Sequence, residues 1–351
     1  MGLSKIRKGI DLLDSEILKL LNDRMELVLM AKKFKGTIQD SEREKEVLSR
    51  IRMNSTDLIN AGFIESIYRE IIRESKKLQA NNFELIAFQG EHGAYSEVAS
   101  KAWNGNLIPI PCKEFAEVFE GVGSGLYDYG IVPVENTLGG AVSQVNQLLI
   151  NTDLNVVGAV ELPIHLCLLA LPGSDHRDIR SAYSHPQALS QCRLFLARNK
   201  LEPMEWSDTA GAAKMLAEKR PKRAAAIASK LSARLYNLEI IKENVQDLER
   251  NVTRFLVLAK EKNKYRGNKC SISFCTEHKA GALFSALEVF AKRNINLTRI
   301  ESIPNEPGNY AFFLDFEGSN TENRVVEALE EVKRMTTDFK LMGCYKERKI
   351  Q

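Results

Sequence analysis

The sequence predicts a multidomain chain of α and α/β modules, and three changes of texture along its 351 residues carry that reading. Residues 4–80 contain no proline and repeat apolar residues at helical spacing. From residue 83 short apolar runs alternate with helical patterns, and from residue 269 the order becomes strand, helix, strand, strand, helix, strand. Three modules in series follow: 1–81, 82–261 and 268–348.

Whole-chain quantities bound what these modules do. An apolar fraction of 44% and a charged fraction of 27% are those of an ordinary globular protein. A net charge of +3 over this length gives no argument for nucleic acid and favours at most small anionic substrates. The N-terminus, MGLSKIRKGIDLLDSEI, has acidic residues by position 11 and no long apolar core, so it does not read as a signal peptide. No run approaches the roughly 18 uninterrupted apolar residues of a membrane span. The six cysteines (112, 167, 192, 270, 275 and 344) form no C-x-x-C and have no histidine at zinc spacing. Buried free thiols in a reducing, cytoplasmic compartment are therefore expected, with no metal. The Asn-x-Ser/Thr matches at Asn54, Asn251 and Asn296 then stay unmodified.

In the first helix Ile6, Ile10, Leu13, Ile17, Leu20, Arg24, Leu27, Ala31 and Phe34 share one seam, in steps of four and three. Arg24 stands where a leucine belongs. A second long helix places Ile64, Tyr68, Ile71, Ser75 and Leu78 on its seam, with a serine among them. A shorter one carries Val47, Leu48 and Ile51, extended N-terminally by Glu44 with Arg43 beside it. Leaving a buried arginine unpaired costs on the order of 3–5 kcal/mol, so Arg24 needs an anionic partner. Asp23 cannot face the same seam, because adjacent residues do not share a helix face. The partner comes from another helix, another chain or a ligand. With Arg7 and Lys35 at the ends, the seam outlines a polar pocket inside a helical bundle.

Arg7, Arg24, Lys35, Asp40, Arg43, Glu44, Ser75 and Gln79, in that order, resemble the pocket pattern of the all-helical chorismate mutases over about the first 80 residues. The resemblance implies an intertwined dimer in which Arg24, with Arg7 of the other subunit, clamps the two substrate carboxylates by bidentate pairing. It implies that Lys35 and Gln79 donate to the ether oxygen and that Glu44 takes the ring hydroxyl. Asp40, Arg43 and Ser75 complete the polar lining. A pericyclic rearrangement moves no proton, so a compact conformer and positive potential at the breaking ether bond are what a protein supplies.

In the middle module, FELIAFQG (83–90), LIPIPC (107–112), YGIVPVE (129–135), VVGAVELPIHLCLLALPG (156–173), RAAAIAS (223–229) and TRFLVLA (253–259) read as strands. Several are apolar throughout, as parallel strands covered on both faces would be. EFAEVFEGV, AVSQVNQLLI and AGAAKMLAEK read as helices between them. Two glycine-rich turns, QGEHGAYS (89–96) and VENTLGGAV (134–142), open helices and leave N–H groups free for a carboxylate or phosphate. Neither is a nucleotide fingerprint.

These turns, with SHPQAL (184–189), DTAGAA (208–213), VQDLERN (245–251) and TRF (253–255), resemble prephenate dehydratase over about residues 83–260. The resemblance implies two α/β lobes around a cleft with Thr253 on its wall, donating to the leaving hydroxyl. It implies substrate contacts from Ser96, Glu135, Asn136, Thr137, Gly140, His185, Gln187, Thr209, Asn251, Arg254 and Phe255. On chemistry alone a threonine is a poor acid that orients or relays a proton, with His185 or Glu135 as its source. Period two points the side chains of Thr253 and Arg254 in opposite directions. Two departures stand out. Glu91-His92 and Ala94-Tyr95 replace the Pro-x and Thr-Phe usual in bacterial enzymes and look more like arogenate dehydratases, and Thr137 replaces a serine. Aromatisation drives the loss of CO2 and water from prephenate, so neither metal nor cofactor is expected.

The last module reads as strand KCSISFCTE, helix ALFSALEVFAKR, strands NLTRIESIP and YAFFLDFEG, helix NRVVEALEEVKRM and strand FKLMGCY. HKAGALFSAL (278–287) and NLTRIESIP (296–304) resemble an ACT domain. That implies a phenylalanine sensor using Gly281, Ala282, Leu283, Glu301 and Ser302, although Ile303 stands in place of the usual arginine. The expected whole is a cytoplasmic bifunctional enzyme, a homodimer or larger, that takes chorismate to prephenate and prephenate to phenylpyruvate under feedback from phenylalanine. No nucleic-acid or membrane partner is expected. The alternatives are a mutase fused to an arogenate dehydratase, or to a non-catalytic ligand-binding α/β module.

Overall fold

The computed structural model describes residues 2–35, 37–54, 58–263, 267–276, 279–306 and 309–350. The chain divides into two compact units, Met1–Glu84 and Leu85–Gln351. Among its described residues the first holds three helices: α1 (Leu3–Lys32), α2 (Ser41–Asn54) and α3 (Ala61–Ala80). The Asn60 carboxamide caps α3 by accepting from Gly62 N–H at 2.7 Å. Within one chain the α1 seam faces outward, with Ile6 50%, Leu13 60% and Leu27 64% exposed. Among the described apolar side chains of this unit Leu29 alone is buried, far too little core for some eighty residues to stand by themselves.

The second unit opens with a lobe of β1 (Leu85–Gln89), α4 (Tyr95–Trp103), β2 (Ile108–Cys112), α5 (Phe115–Ser124), β3 (Tyr129–Asn136), β4 (Gly140–Ala141), α6 (Ser143–Asn151) and β5 (Asn155–Pro163). Residues 164–166 cross to a second lobe of β6 (Cys167–Ala170), β7 (Ser181–Ser184), α7 (Pro186–Gln191), α8 (Arg193–Arg198), β8 (Glu202–Glu205), α9 (Thr209–Lys219), β9 (Ala224–Ala228), α10 (Lys230–Leu235) and β10 (Glu239–Lys242). The chain then returns to the first lobe as β11 (Val252–Ala259). The remainder is β12 (Lys269–Thr276), α11 (Ala282–Lys292), β13 (Leu297–Glu306), β14 (Asn309–Glu317), α12 (Asn323–Met335), β15 (Thr337–Tyr345) and β16 (Glu347–Lys349).

The sheets run β16-β5-β11-β3-β1-β2 in the first lobe, β10-β6-β9-β7-β8 in the second and β13-β14-β12-β15 in the last module. β1 is parallel to β2 and β3, but β11 is antiparallel to both its neighbours, β3 and β5. The parallel reading of apolar strands fails for this one because the chain re-enters the first lobe from the opposite end. The long run at 156–173 is two strands, β5 and β6, one in each lobe. β8 and β10 were not expected: both are mostly exposed edge strands, which carry little apolar signal, and β8 contains a proline. β7 and β16 were also not expected.

The last module has the expected βαββαβ order, and its sheet is covered on both sides. Cys270, Ile272, Phe274, Leu314 and Phe316 pack with Val289, Phe290, Val325 and Val332 of the two helices. The opposite face, with Ser271, Phe313, Asp315 and Arg299, meets the first lobe. Arg299 there bonds Asn146 of α6, and a Cβ on Gly343 would meet the carbonyl of Val156 in β5 at 2.0 Å.

Cys270 and Cys344, register partners on β12 and β15, are disulfide-bonded. This corrects the expectation of six thiols. The two lie 74 residues apart, and only strand pairing brings them together. Cys112, Cys167, Cys192 and Cys275 are buried thiols. Burial raises Cys112 to about 11 and Cys192 to about 12, so both are unreactive near neutral pH. Closing a loop of that length stabilises a fold by about 4 kcal/mol in the chain-entropy account. Calorimetry with and without reductant, and of Cys344→Ser, should show the second unit melting several degrees lower once the bond is absent. An unchanged midpoint would mean that the bond contributes nothing.

Candidate active sites

Two sites emerge, one in each unit. In the helical unit Arg24 Nη1 donates to Ser75 Oγ at 2.7 Å, which brings the two misplaced seam residues of α1 and α3 together. Arg24 is only partly buried, and no carboxylate among the described residues pairs with it. The anionic partner expected for it is thus left to a ligand. Gln79 donates to the carbonyl of Val28 at 2.8 Å, and with Lys32 and Lys35 it lines a hollow of about 250 Å³.

Asp40 lies 3.4 Å from Lys35 and accepts the Arg43 N–H at 3.0 Å. That N–H bond and the Lys35 ammonium hold the Asp40 carboxyl below its ordinary range. Glu44 pairs with Lys76 at 2.6 Å and Arg43 with Glu46 at 3.0 Å. Arg7 is exposed, seventeen residues before Arg24 on one helix and hence about 25 Å away. Sequence reasoning missed Lys32 and Lys76. Lys32 lies three residues before Lys35 and so shares its side of the chain end, a signal that was available.

In the second unit, Asn136 on β3 and Thr253 on β11 are register partners. The Asn136 amide donates to Thr253 Oγ1 at 2.9 Å and to Asn251 Oδ1 at 2.8 Å. Its oxygen accepts from the N–H groups of Leu138 (3.0 Å) and Gly139 (2.8 Å) and from Gln191 Nε2 (3.3 Å). Asn251 in turn donates to Gln191 Oε1 at 2.9 Å. The ends of β3 and β11 and the end of α7 are thereby tied together. Gln191 was overlooked, although it lies one turn after Gln187 in SHPQALSQC. Thr253 is an acceptor in this network, so its own hydrogen remains available to a further partner.

The surrounding residues hold the network in place. Thr137 Oγ1 accepts from Val252 N–H at 3.0 Å and donates to Arg250 carbonyl at 3.1 Å, so the departure from serine keeps the hydroxyl chemistry. A Cβ on Gly139 would press on the amide end of the Gln187 side chain, so this turn and α7 lie against each other here. Gly140, at φ +74°, folds β4 back along β3. His185 caps α7, its Nδ1 accepting from Gln187 N–H at 3.2 Å. Burial lowers its pKa, partly offset by Asp208 and Glu205, so it is neutral at pH 7. Thr209 begins α9 just after Asp208, whose carboxylate accepts Gly211 N–H at 2.6 Å. Ser96 is buried in the first turn of α4. The turn before it is held by the second lobe: Ser229 and Ser232 donate to the Gly93 carbonyl at 2.6 and 3.0 Å, and Tyr236 to the His92 carbonyl at 2.7 Å.

Three residues expected to touch substrate are positioned otherwise: Glu135, the register partner of Arg254, lies 3.7 Å from Arg299 of the last module and not beside Thr253, and Arg254 and Phe255 also point elsewhere. Arg254, 4% exposed, points away from Thr253 and is bound by Asp315, by Glu347 at 2.6 Å and by Tyr345 at 3.1 Å, all in the last 37 residues of the chain. Burial would lower its pKa, but the Asp315 and Glu347 carboxylates hold it well above the ordinary value. Strand alternation is the reason: Thr253 takes the cleft side and Arg254 the other. Phe255 returns to the first side but lies in the apolar core of the lobe. In the last module Gly281, at φ +87°, begins α11; Ala282 and Leu283 are half-buried, and Leu283 packs on the core. Glu301 is half-buried, Ser302 exposed and Ile303 buried on β13. Residues 277 and 278, at the start of HKAGALFSAL, lie outside the described residues.

A cationic helical hollow, a hydroxyl–amide network where two α/β lobes meet, and a βαββαβ module define a multifunctional enzyme of small carboxylate substrates. The family model described as chorismate mutase type II matches residues 6–80, that of prephenate dehydratase residues 86–263 and that of the ACT domain residues 271–334. The bifunctional chorismate mutase/prephenate dehydratase of Aquifex aeolicus is 37% identical over 363 residues, covering 99% of both chains. An arogenate dehydratase/prephenate dehydratase of Arabidopsis thaliana is 40% identical over 274 residues, 74% of this chain and 72% of that one. The structure of prephenate dehydratase from Arthrobacter aurescens in complex with L-Phe superposes with a TM-score of 0.70 at 30% identity, covering 75% of this chain and 89% of that one. The chain belongs to the bifunctional chorismate mutase/prephenate dehydratase family. It rearranges chorismate to prephenate and converts prephenate to phenylpyruvate, two steps of phenylalanine biosynthesis.

Proposed function

We propose that Thr253 assists departure of the C4 hydroxyl of prephenate, and the observation that carries this is its hydroxyl accepting from Asn136 with its own hydrogen unspent. The C–C bond to the ring carboxylate breaks and releases CO2, and its electron pair enters the ring. The C4–O bond breaks with its pair on oxygen, which takes a proton and leaves as water. Thr253 donates to that oxygen, Asn136, Asn251, Thr137 and Gln191 hold the wall it stands on, and Gln187 lies beside Gly139 at its edge. Ser96, Gly140, His185 and Thr209 complete the site from the two lobes. A neutral His185 is a poor proton source, which leaves solvent or substrate to supply the proton that Thr253 relays.

The mutase site is completed by a second copy of the chain. Arg24 grips one carboxylate of chorismate beside Ser75, Arg7 of the second copy grips the other, and Lys35 and Gln79 face the ether oxygen. Glu44 takes the ring hydroxyl, with Asp40 and Arg43 in the lining. The outward-facing α1 seam and the 25 Å or so between Arg7 and Arg24 support this homodimer. The modules 1–81, 82–261 and 268–348 work in a cytoplasmic enzyme, the last binding phenylalanine through Gly281, Ala282, Leu283, Glu301 and Ser302.

Phenylpyruvate formation from chorismate by the purified chain, with phenylalanine titrated in, tests this reading. Product that falls as phenylalanine rises is expected. Product indifferent to phenylalanine would remove the sensor role. Prephenate that accumulates while added arogenate is consumed would move the second activity to arogenate.

A further inference from the structure

The two dehydratase motifs each show one residue to the cleft and the next to the regulatory module. Asn136 pairs in register with Thr253, and Glu135 pairs with Arg254. Arg254 is fixed by Asp315 and Glu347. Next to it lies a second arginine that crosses in the other direction, Arg299 of β13, whose side chain is 2% exposed. One end of Arg299 is anchored: Nη2 donates to Asn146 Oδ1 at 2.6 Å, and the guanidinium lies 4.8 Å above the Phe313 ring.

The rest of the guanidinium is not anchored. Among the described residues Nε and Nη1 are buried with no hydrogen-bond partner. Glu135 Oε2 lies 3.7 Å and Glu301 Oε1 3.9 Å from Nε, and Asp315 Oδ2 lies 3.8 Å from Nη1. A buried N–H left unpaired is costly, and three acceptors lie one small shift away. Asp315 is already held by Arg254 and Ser271. Glu135 and Glu301 are therefore the two carboxylates nearest to Nε that it can still bond. One belongs to the turn that carries Asn136, the other to the strand assigned to the effector. A group that can close on either of two acceptors is the kind of element through which two sites couple.

We propose that Arg299 is a positioning residue for the dehydratase: bonded to Glu135 it steadies the end of β3, and so Asn136 against Thr253. When phenylalanine occupies the last module, Arg299 turns to Glu301, the end of β3 loosens and turnover falls. This rests on the reading of that module as the phenylalanine sensor.

The test uses the full chain with Arg299→Gln and Arg299→Lys, measuring dehydratase kcat and KM, the mutase rate, and phenylalanine binding by equilibrium dialysis. For Arg299→Gln, kcat on prephenate should fall about tenfold at a KM changed less than about twofold, with mutase rate and phenylalanine binding kept. The remaining activity should no longer respond to bound phenylalanine. Arg299→Lys keeps the charge without the planar fork, so kcat should largely return while inhibition weakens by about tenfold or more.

Unchanged kcat and inhibition in Arg299→Gln would overturn the proposal, as would a raised KM at full kcat, the sign of a substrate contact. Should Arg299→Gln not fold, Arg299→Lys decides: inhibition equal to the unmodified chain overturns the relay. If the unmodified chain binds no phenylalanine, the sensor reading falls by itself, and the effector-free kcat of the variants still decides the positioning role.

Discussion

Thr253→Ala is expected to lower dehydratase turnover by about a thousandfold while chorismate is still converted to prephenate at the unmodified rate. A positioned proton donor contributes roughly 10²–10⁴ in rate, and Thr253 is the hydroxyl that the Asn136–Asn251–Gln191 network presents. Prephenate should accumulate in a chorismate-fed reaction, and its binding, followed by calorimetry, should weaken by about tenfold at most. Serine at 253 keeps the hydroxyl and should restore part of the rate. An alanine variant with near-normal phenylpyruvate output would sink the assignment.

The second large effect concerns the mutase. Arg24→Ala and Arg7→Ala should each abolish chorismate rearrangement, by about a thousandfold, and leave prephenate dehydration untouched. The two inactive variants mixed together should recover activity. If each site draws Arg24 from one chain and Arg7 from the other, a mixed dimer holds one intact site and one doubly damaged site. Free exchange of subunits then gives about a quarter of the unmodified rate. A mixture as inactive as its components, shown by sedimentation to have exchanged, would place both arginines of a site on one chain.

The parts of this protein that were legible in its sequence are those where a period makes an intruder visible. Arg24 and Ser75 interrupt apolar seams, and the structure bonds them to each other. Asn251 and Thr253 precede an apolar strand, and both hydrogen-bond Asn136. Period two also gave the direction of Arg254, away from its neighbour. Its destination was not legible: Asp315 lies 61 residues on within an apolar strand, and a lone acid in YAFFLDFEG has no local signature of its partner. The same holds for Cys270 and Cys344, for Arg299 opposite Glu135, and for the edge strands β8 and β10. In each case the determinant is contact between distant segments, which periodicity along the chain does not encode.

The last strand changes how the regulatory module is mounted. β11 leads into that module from one side of β5, and β16 leaves it to pair with β5 on the other, Glu347 opposite Ala159. A body hung from one strap swivels, whereas one gripped on both sides of a rail transmits torsion. Rotation of this module therefore wrings the strand beside the catalytic one and does not dissipate in a tether. For protein engineering, exchanging this sensor for another means rebuilding two seams at once, and cutting the chain before residue 347 removes a carboxylate that both Arg254 and Lys269 hold.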